Sequence, residues 1–107
     1  MSEFSVRDLT PQEVAEGLEA GRMVLVDVRE PNETEFERYP GAVIVPLSAF
    51  DPAAIPEPQG REVVFACRSG RRSVTASISA QEQGYSYSAH LAGGILAWKA
   101  AGLPTET

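Results

Sequence analysis

The chain has 107 residues, 43% of them hydrophobic and 22% charged, with a net charge of −6. That length supports one core and is too short for two, so a single domain over residues 1–107 is expected. The acidity argues against a nucleic-acid partner, the short apolar runs cannot span a bilayer, and a lone cysteine excludes an internal disulfide or a paired-cysteine site.

The acidic start "MSEFSVRDLTPQE" lacks the apolar core of a signal peptide, which predicts a cytoplasmic protein. "TPQEVAEGLEAG" reads as a helix, with Thr10 as cap, Pro11 at the first position, Glu13 completing a capping box and Gly21 at the end. "MVLVDVRE" is a nearly continuous apolar run closed by charge, the pattern of a buried parallel strand. "PNETEFERYPG" predicts a short helix stopped by Pro40 and Gly41, and "AVIVP" a second short strand. The proline-rich "LSAFDPAAIPEPQG" reads as a loop with at most a turn or two of helix. "REVVFAC" is a third buried strand, and "SVTASISAQEQG" a serine-rich helix that must lean on tertiary packing. "YSYSAHLA" is a weak strand, and "GGILAWKAAG" a last helix ended by Gly102 and Pro104. Strands alternating with helices predict an α/β domain with a mainly parallel sheet. Ligands of such sheets bind at the carboxyl ends of the strands, and Cys67 stands at one of them.

The charge is unevenly placed. Thirteen of the fifteen carboxylates lie in residues 1–62, whereas Arg68, Arg71 and Arg72 crowd around the only cysteine in "CRSGRRS". A thiol becomes a good nucleophile as the thiolate, which a helix N-terminus and nearby arginines favour. Gly70 allows a sharp bend, and a tight loop turns successive backbone N–H groups inward as an anion-binding nest. The spacing therefore predicts a reactive Cys67 and a small anionic substrate, rather than a buried structural cysteine with solvated arginines around it. His90 lacks a partner cysteine nearby in sequence and reads as a surface or packing histidine. With one cysteine and one histidine, no metal site is expected. Trp98, near Ile95 and Leu96, reads as core.

"CRSGRRS" resembles the active-site loop of single-domain thiosulfate sulfurtransferases of the rhodanese family. "VLVDVREPNETEFERYPGAVIVPL" resembles that family's Asp-x-Arg strand end and its Pro-Gly-Ala-x-x-x-Pro segment, and "LAGGILAWKAAGLP" resembles its closing Gly-Gly-x-x-x-Trp signature. The resemblance implies a rhodanese-like fold, a five-stranded, mainly parallel sheet with helices on both faces. It implies that Cys67 takes a sulfur from a small anionic donor such as thiosulfate and passes it from a persulfide to cyanide, a thiol or an acceptor protein, without metal, organic cofactor or histidine base. Backbone amides from Arg68 through Ser69, Gly70, Arg71 and Arg72 to Ser73 would hold the persulfide charge. Arg71 or Arg72 would bind the donor with help from Arg68, Ser73 would bond within the loop, and Asp27 and Arg29 would orient it through ion pairs or else are ordinary surface charges. The chain departs from the family in having Tyr39 where a histidine is frequent, Ala92 where an acidic residue often precedes the glycine pair, and Phe65-Ala66 in place of an apolar-Tyr pair.

Two other functions fit parts of the pattern. Cysteine-dependent phosphatases and arsenate reductases also use a cysteine loop ending in arginine; the phosphatases carry Cys-x-x-x-x-x-Arg, but here Arg72 falls one place early and Ser73 follows, giving a smaller cradle. A rhodanese-like module can also serve as a sulfur relay or a regulatory binding unit, typically inactive when the cysteine is lost. This chain retains Cys67. No membrane partner is expected, and a monomer is.

Overall fold

The computed structural model describes residues 4–107, so the first three residues of the acidic N-terminal stretch lie outside it. Five strands form one sheet in the order β1-β5-β4-β2-β3, with every ladder parallel. The strands are β1 (Arg7–Leu9), β2 (Met23–Asp27), β3 (Val43–Ile44), β4 (Glu62–Ala66) and β5 (Ala89–Leu91); the helices are α1 (Pro11–Glu19), α2 (Pro31–Phe36), α3 (Arg71–Glu82) and α4 (Gly94–Ala100). Two short 3₁₀ turns, Leu47–Ala49 and Pro52–Ala54, occupy the proline-rich loop.

The central strands β2 and β4 are apolar on both sides because both sides are covered. Leu25 and Val64 face a cluster with Val14, Leu91, Ile95 and Trp98. Val26, Phe65 and Cys67 face a second cluster with Val45, Ile55, Ala76 and Ala80. The rhodanese-like α/β arrangement implied by the resemblance is therefore present, and Trp98 is core, at 3% exposure.

Helix α1 starts on the capping box expected of it: Thr10 Oγ1 accepts from the Glu13 amide at 3.1 Å, and Glu13 Oε1 accepts from the Thr10 amide at 2.9 Å. Three features differ from the sequence expectation. Strand β1 was not predicted, since of its three residues only Leu9 is buried and no alternation shows. Helix α3 starts two residues early, at Arg71, because Gly70 turns the chain at φ 100° without a side-chain cap. Helix α2 ends at Phe36, short of Pro40. Glu37 is extended, and its carbonyl accepts from Arg29 Nη2 at 2.8 Å.

No helix among the described residues is long and apolar enough to cross a membrane.

Candidate active site

Strand β4 delivers Cys67 to the carboxyl edge of the sheet, and residues 67–70 loop from there into α3. The loop is held from behind through its carbonyl groups. The Cys67 carbonyl accepts from the Ile95 amide at 2.9 Å and from the Tyr39 hydroxyl at 2.8 Å, and the Arg68 carbonyl accepts from the Leu96 amide at 3.2 Å. The start of α4 thus spends its free amides on the loop. Only glycine allows this approach at position 94, where a Cβ would run into the Arg68 and Cys67 carbonyl groups and φ is +60°.

With the carbonyls fixed on one side, N–H groups on the other side reach the sulfur. Cys67 Sγ accepts from the Gly70 amide at 3.1 Å and the Ser73 amide at 3.4 Å, and lies 3.5 Å from Ser73 Oγ. Burial pushes the thiol pKa up, but hydrogen bonds from the Ser73 hydroxyl and amide and from the Gly70 and Ser69 amides outweigh it, so the net shift is down. The main stabilisers are therefore the Ser73 hydroxyl and the loop amides. The sequence had pointed to the arginines as well as the helix start.

The arginines have other places. Arg72 holds Glu33 of α2 in a two-pronged pair, at 2.6 and 2.8 Å. This drives the Glu33 carboxyl down to about 2. Arg68 and Arg71 are exposed, and neither makes an ion pair with the described residues. Arg68 borders an open cleft of about 360 Å³ beside the loop, which Glu33, Phe36, Leu96 and Lys99 also line. Cys67 itself has no exposed surface, so a molecule from solvent would reach the sulfur only when the loop or the side chain shifts.

Asp27 and Arg29 are buried and bind each other, with Arg29 Nε at 3.1 Å from Asp27 Oδ1 and Nη2 at 2.9 Å from Oδ2. They make no direct bond to the loop. Their link to it runs through Tyr39: the Arg29 guanidinium lies 5.6 Å from the ring centroid, and the Tyr39 hydroxyl donates to the Cys67 carbonyl.

Two residues gain a place that sequence reasoning did not give them. Tyr39, which registered only as a missing histidine, anchors the loop from below. His90, read as a surface or packing residue, is 4% exposed and bonded at both ring nitrogens, with Ser73 Oγ at 2.8 Å from Nδ1 and Asp8 Oδ1 at 2.6 Å from Nε2. The available signal was register: β5 sets His90 beside Asp8 of β1 and beside Phe65 of β4, two residues before the cysteine.

Known proteins share both sequence and shape with this chain. Over 82 residues it is 39% identical to a sulfurtransferase of Allochromatium vinosum, covering 77% of each chain. Over 97 residues it is 38% identical to an uncharacterized protein of Synechocystis; the match covers 91% of this chain and spans only about half, 54%, of that relative. A solved Rhodopseudomonas palustris protein of unknown function, described as a possible tyrosine phosphatase, superposes with a TM-score of 0.79 at 32% identity, over 94% of this chain and 85% of that one. The family model for the rhodanese-like domain matches residues 10–101. With its parallel sheet, its cysteine loop and this match over most of its length, the chain belongs to the rhodanese-like domain family.

Proposed function

We propose that this chain is a sulfurtransferase that carries sulfane sulfur on Cys67. The observation that carries the reading is the set of hydrogen-bond partners around Sγ: two backbone amides and the Ser73 hydroxyl, on a thiol whose pKa they lower. The Cys67 thiolate attacks the outer sulfur of a donor such as thiosulfate. An Sγ–S bond forms, the donor S–S bond breaks, and sulfite leaves with the electron pair. A nucleophile, cyanide or a thiol, then takes the outer sulfur, and the electrons of the Sγ–S bond return to Cys67. The loop amides from Arg68 to Ser73 hold the negative charge of the persulfide; those of Ser69, Gly70 and Ser73 already act on the sulfur.

Arg68 and Arg71, with guanidiniums in no ion pair among the described residues, attract the anionic donor; Arg72 serves mainly to fix Glu33. The cleft beside Arg68 combines a cation with the exposed Phe36 and Leu96, which suits a small thiol or the thiol-bearing segment of an acceptor protein. The same geometry weighs against phosphatase chemistry. A phosphate dianion needs a free arginine at the end of the loop, and here that arginine is neutralised by a carboxylate.

The test is intact mass after incubation with thiosulfate. The wild type gains one sulfur atom and Cys67→Ser does not; cyanide removes the gain and releases thiocyanate. No gain with thiosulfate or any other persulfide donor, together with turnover of an aryl phosphate, would reject the reading.

A further inference from the structure

His90 is the only histidine in the chain, and its environment is built rather than incidental. Four elements supply one line of hydrogen bonds: Asp8 from β1, His90 from β5, Ser73 from α3 and Cys67 at the end of β4. The successive separations are 2.6, 2.8 and 3.5 Å. The inner members are buried, while the Asp8 side chain is 75% exposed, so the line runs from solvent to the sulfur. The loop passes beside the imidazole: a Cβ added at Gly70 would be in ordinary contact with His90 Cε1, at 3.8 Å.

The Ser73 hydroxyl has one proton and two neighbours, which makes the line reversible. With Cys67 as a thiol, S–H donates to Ser73 Oγ, Ser73 O–H donates to His90 Nδ1, and His90 Nε2–H donates to Asp8. When Cys67 ionises, its proton passes to Ser73 Oγ while the Ser73 proton passes to Nδ1. The imidazolium then donates from both nitrogens, and Ser73 O–H points at the thiolate. Every hydrogen bond survives in both states, no proton is lost to water, and the total charge of the four groups is unchanged.

We propose that Asp8, His90 and Ser73 form a proton relay for Cys67, with His90 as the positioning residue that receives the thiol proton and Asp8 holding the imidazolium. Its use in turnover rests on the persulfide reading; its existence does not. Charged and titratable groups surround the sulfur end of this line. Arg72 and its partner Glu33 stand at the α3–α2 side, the Tyr39 hydroxyl lies behind the Cys67 carbonyl, and the Asp27–Arg29 pair lies behind Tyr39.

The test needs no sulfur donor. The rate of Cys67 alkylation by iodoacetamide is measured against pH in wild type, Asp8→Asn and His90→Gln, and the protonation of the His90 ring is followed by nitrogen NMR in wild type and Cys67→Ser. The expected result is a rise in the alkylation midpoint of about one pH unit in His90→Gln, a tenfold loss of thiolate below it, and a smaller rise in Asp8→Asn. If the relay operates, a proton appears on His90 Nδ1 in the wild type as the thiolate forms, and it is absent from Cys67→Ser at the same pH. An unchanged midpoint in Asp8→Asn, with a singly protonated His90 beside an ionised Cys67, would overturn the relay. Asp8 is exposed and the NMR comparison uses the native chain, so the test survives a failure of His90→Gln to fold. A shifted midpoint without sulfur uptake from any donor leaves the relay standing and removes the sulfurtransferase reading; uptake with an unshifted midpoint does the reverse.

Discussion

Glu33 and Arg72 lie on different helices, α2 and α3, and each is less than one third exposed. Arg72 accounts for most of the depression of the Glu33 carboxyl from 4.5 to about 2. A carboxyl depressed in the folded state stabilises the fold fully above its unfolded value and loses that contribution as pH falls through the folded one. The stability gap between wild type and Glu33→Gln should therefore be largest above about pH 4.5 and close as pH approaches about 2, as read by denaturant unfolding at a series of pH values. A gap independent of pH would show that the bond does not form in solution. At this scale Cys67 is legible in the sequence, because a single thiol, a glycine and three arginines share seven residues. The pairing of Arg72 with Glu33, 39 positions away, is not legible: it depends on how α2 and α3 meet. Tyr39 and His90 escape for the same reason. Their partners come from elements far apart in the chain, and only register and packing bring them together.

At the scale of elements, α4 is tied to the loop through backbone atoms alone, so side-chain chemistry cannot repair a misfit there. Gly94→Ala forces a methyl group against the Arg68 and Cys67 carbonyl groups at a φ that disfavours alanine. The expected cost is about 1–3 kcal/mol of stability by thermal or chemical unfolding, with loss of sulfur uptake even in the folded fraction. Full uptake in Gly94→Ala would mean that the contact does not shape the loop. The apolar runs of β2 and β4 and the capping signals of α1 make those elements legible. Strand β1 is too short and too exposed to stand out, and it exists because β5 offers it an edge. Helix α2 ends early because Arg29 captures the Glu37 carbonyl, with Lys99 and Thr105 holding its side chain. The sequence shows a helix former there and gives no sign of the capture.

Across the whole molecule, the arginine and lysine ion pairs among the described residues are separate, partly exposed pairs except one, which is buried. Asp27 is fully buried and Arg29 is 4% exposed, and together they join the end of β2 to the exit of α2 and the face of Tyr39. Removing one charge leaves the other stranded. Asp27→Asn should lose about 3–5 kcal/mol in equilibrium unfolding, whereas Asp27→Asn combined with Arg29→Met should recover much of that loss. Equal losses in the single and double variants would show that the pair does not act as a unit. The charges are unevenly placed, and α2 of the acidic first half meets the cationic loop region of the second through the Glu33–Arg72 pair. The full enclosure of Cys67 then acquires another meaning. A sulfur atom walled in by peptide groups is sheltered from oxidants and stray thiols as well as from solvent. On the proposed reading, custody of the cargo and delivery of it would be separate events, and the residence time of a sulfur held behind this wall would follow how often the wall opens rather than how reactive the sulfur is.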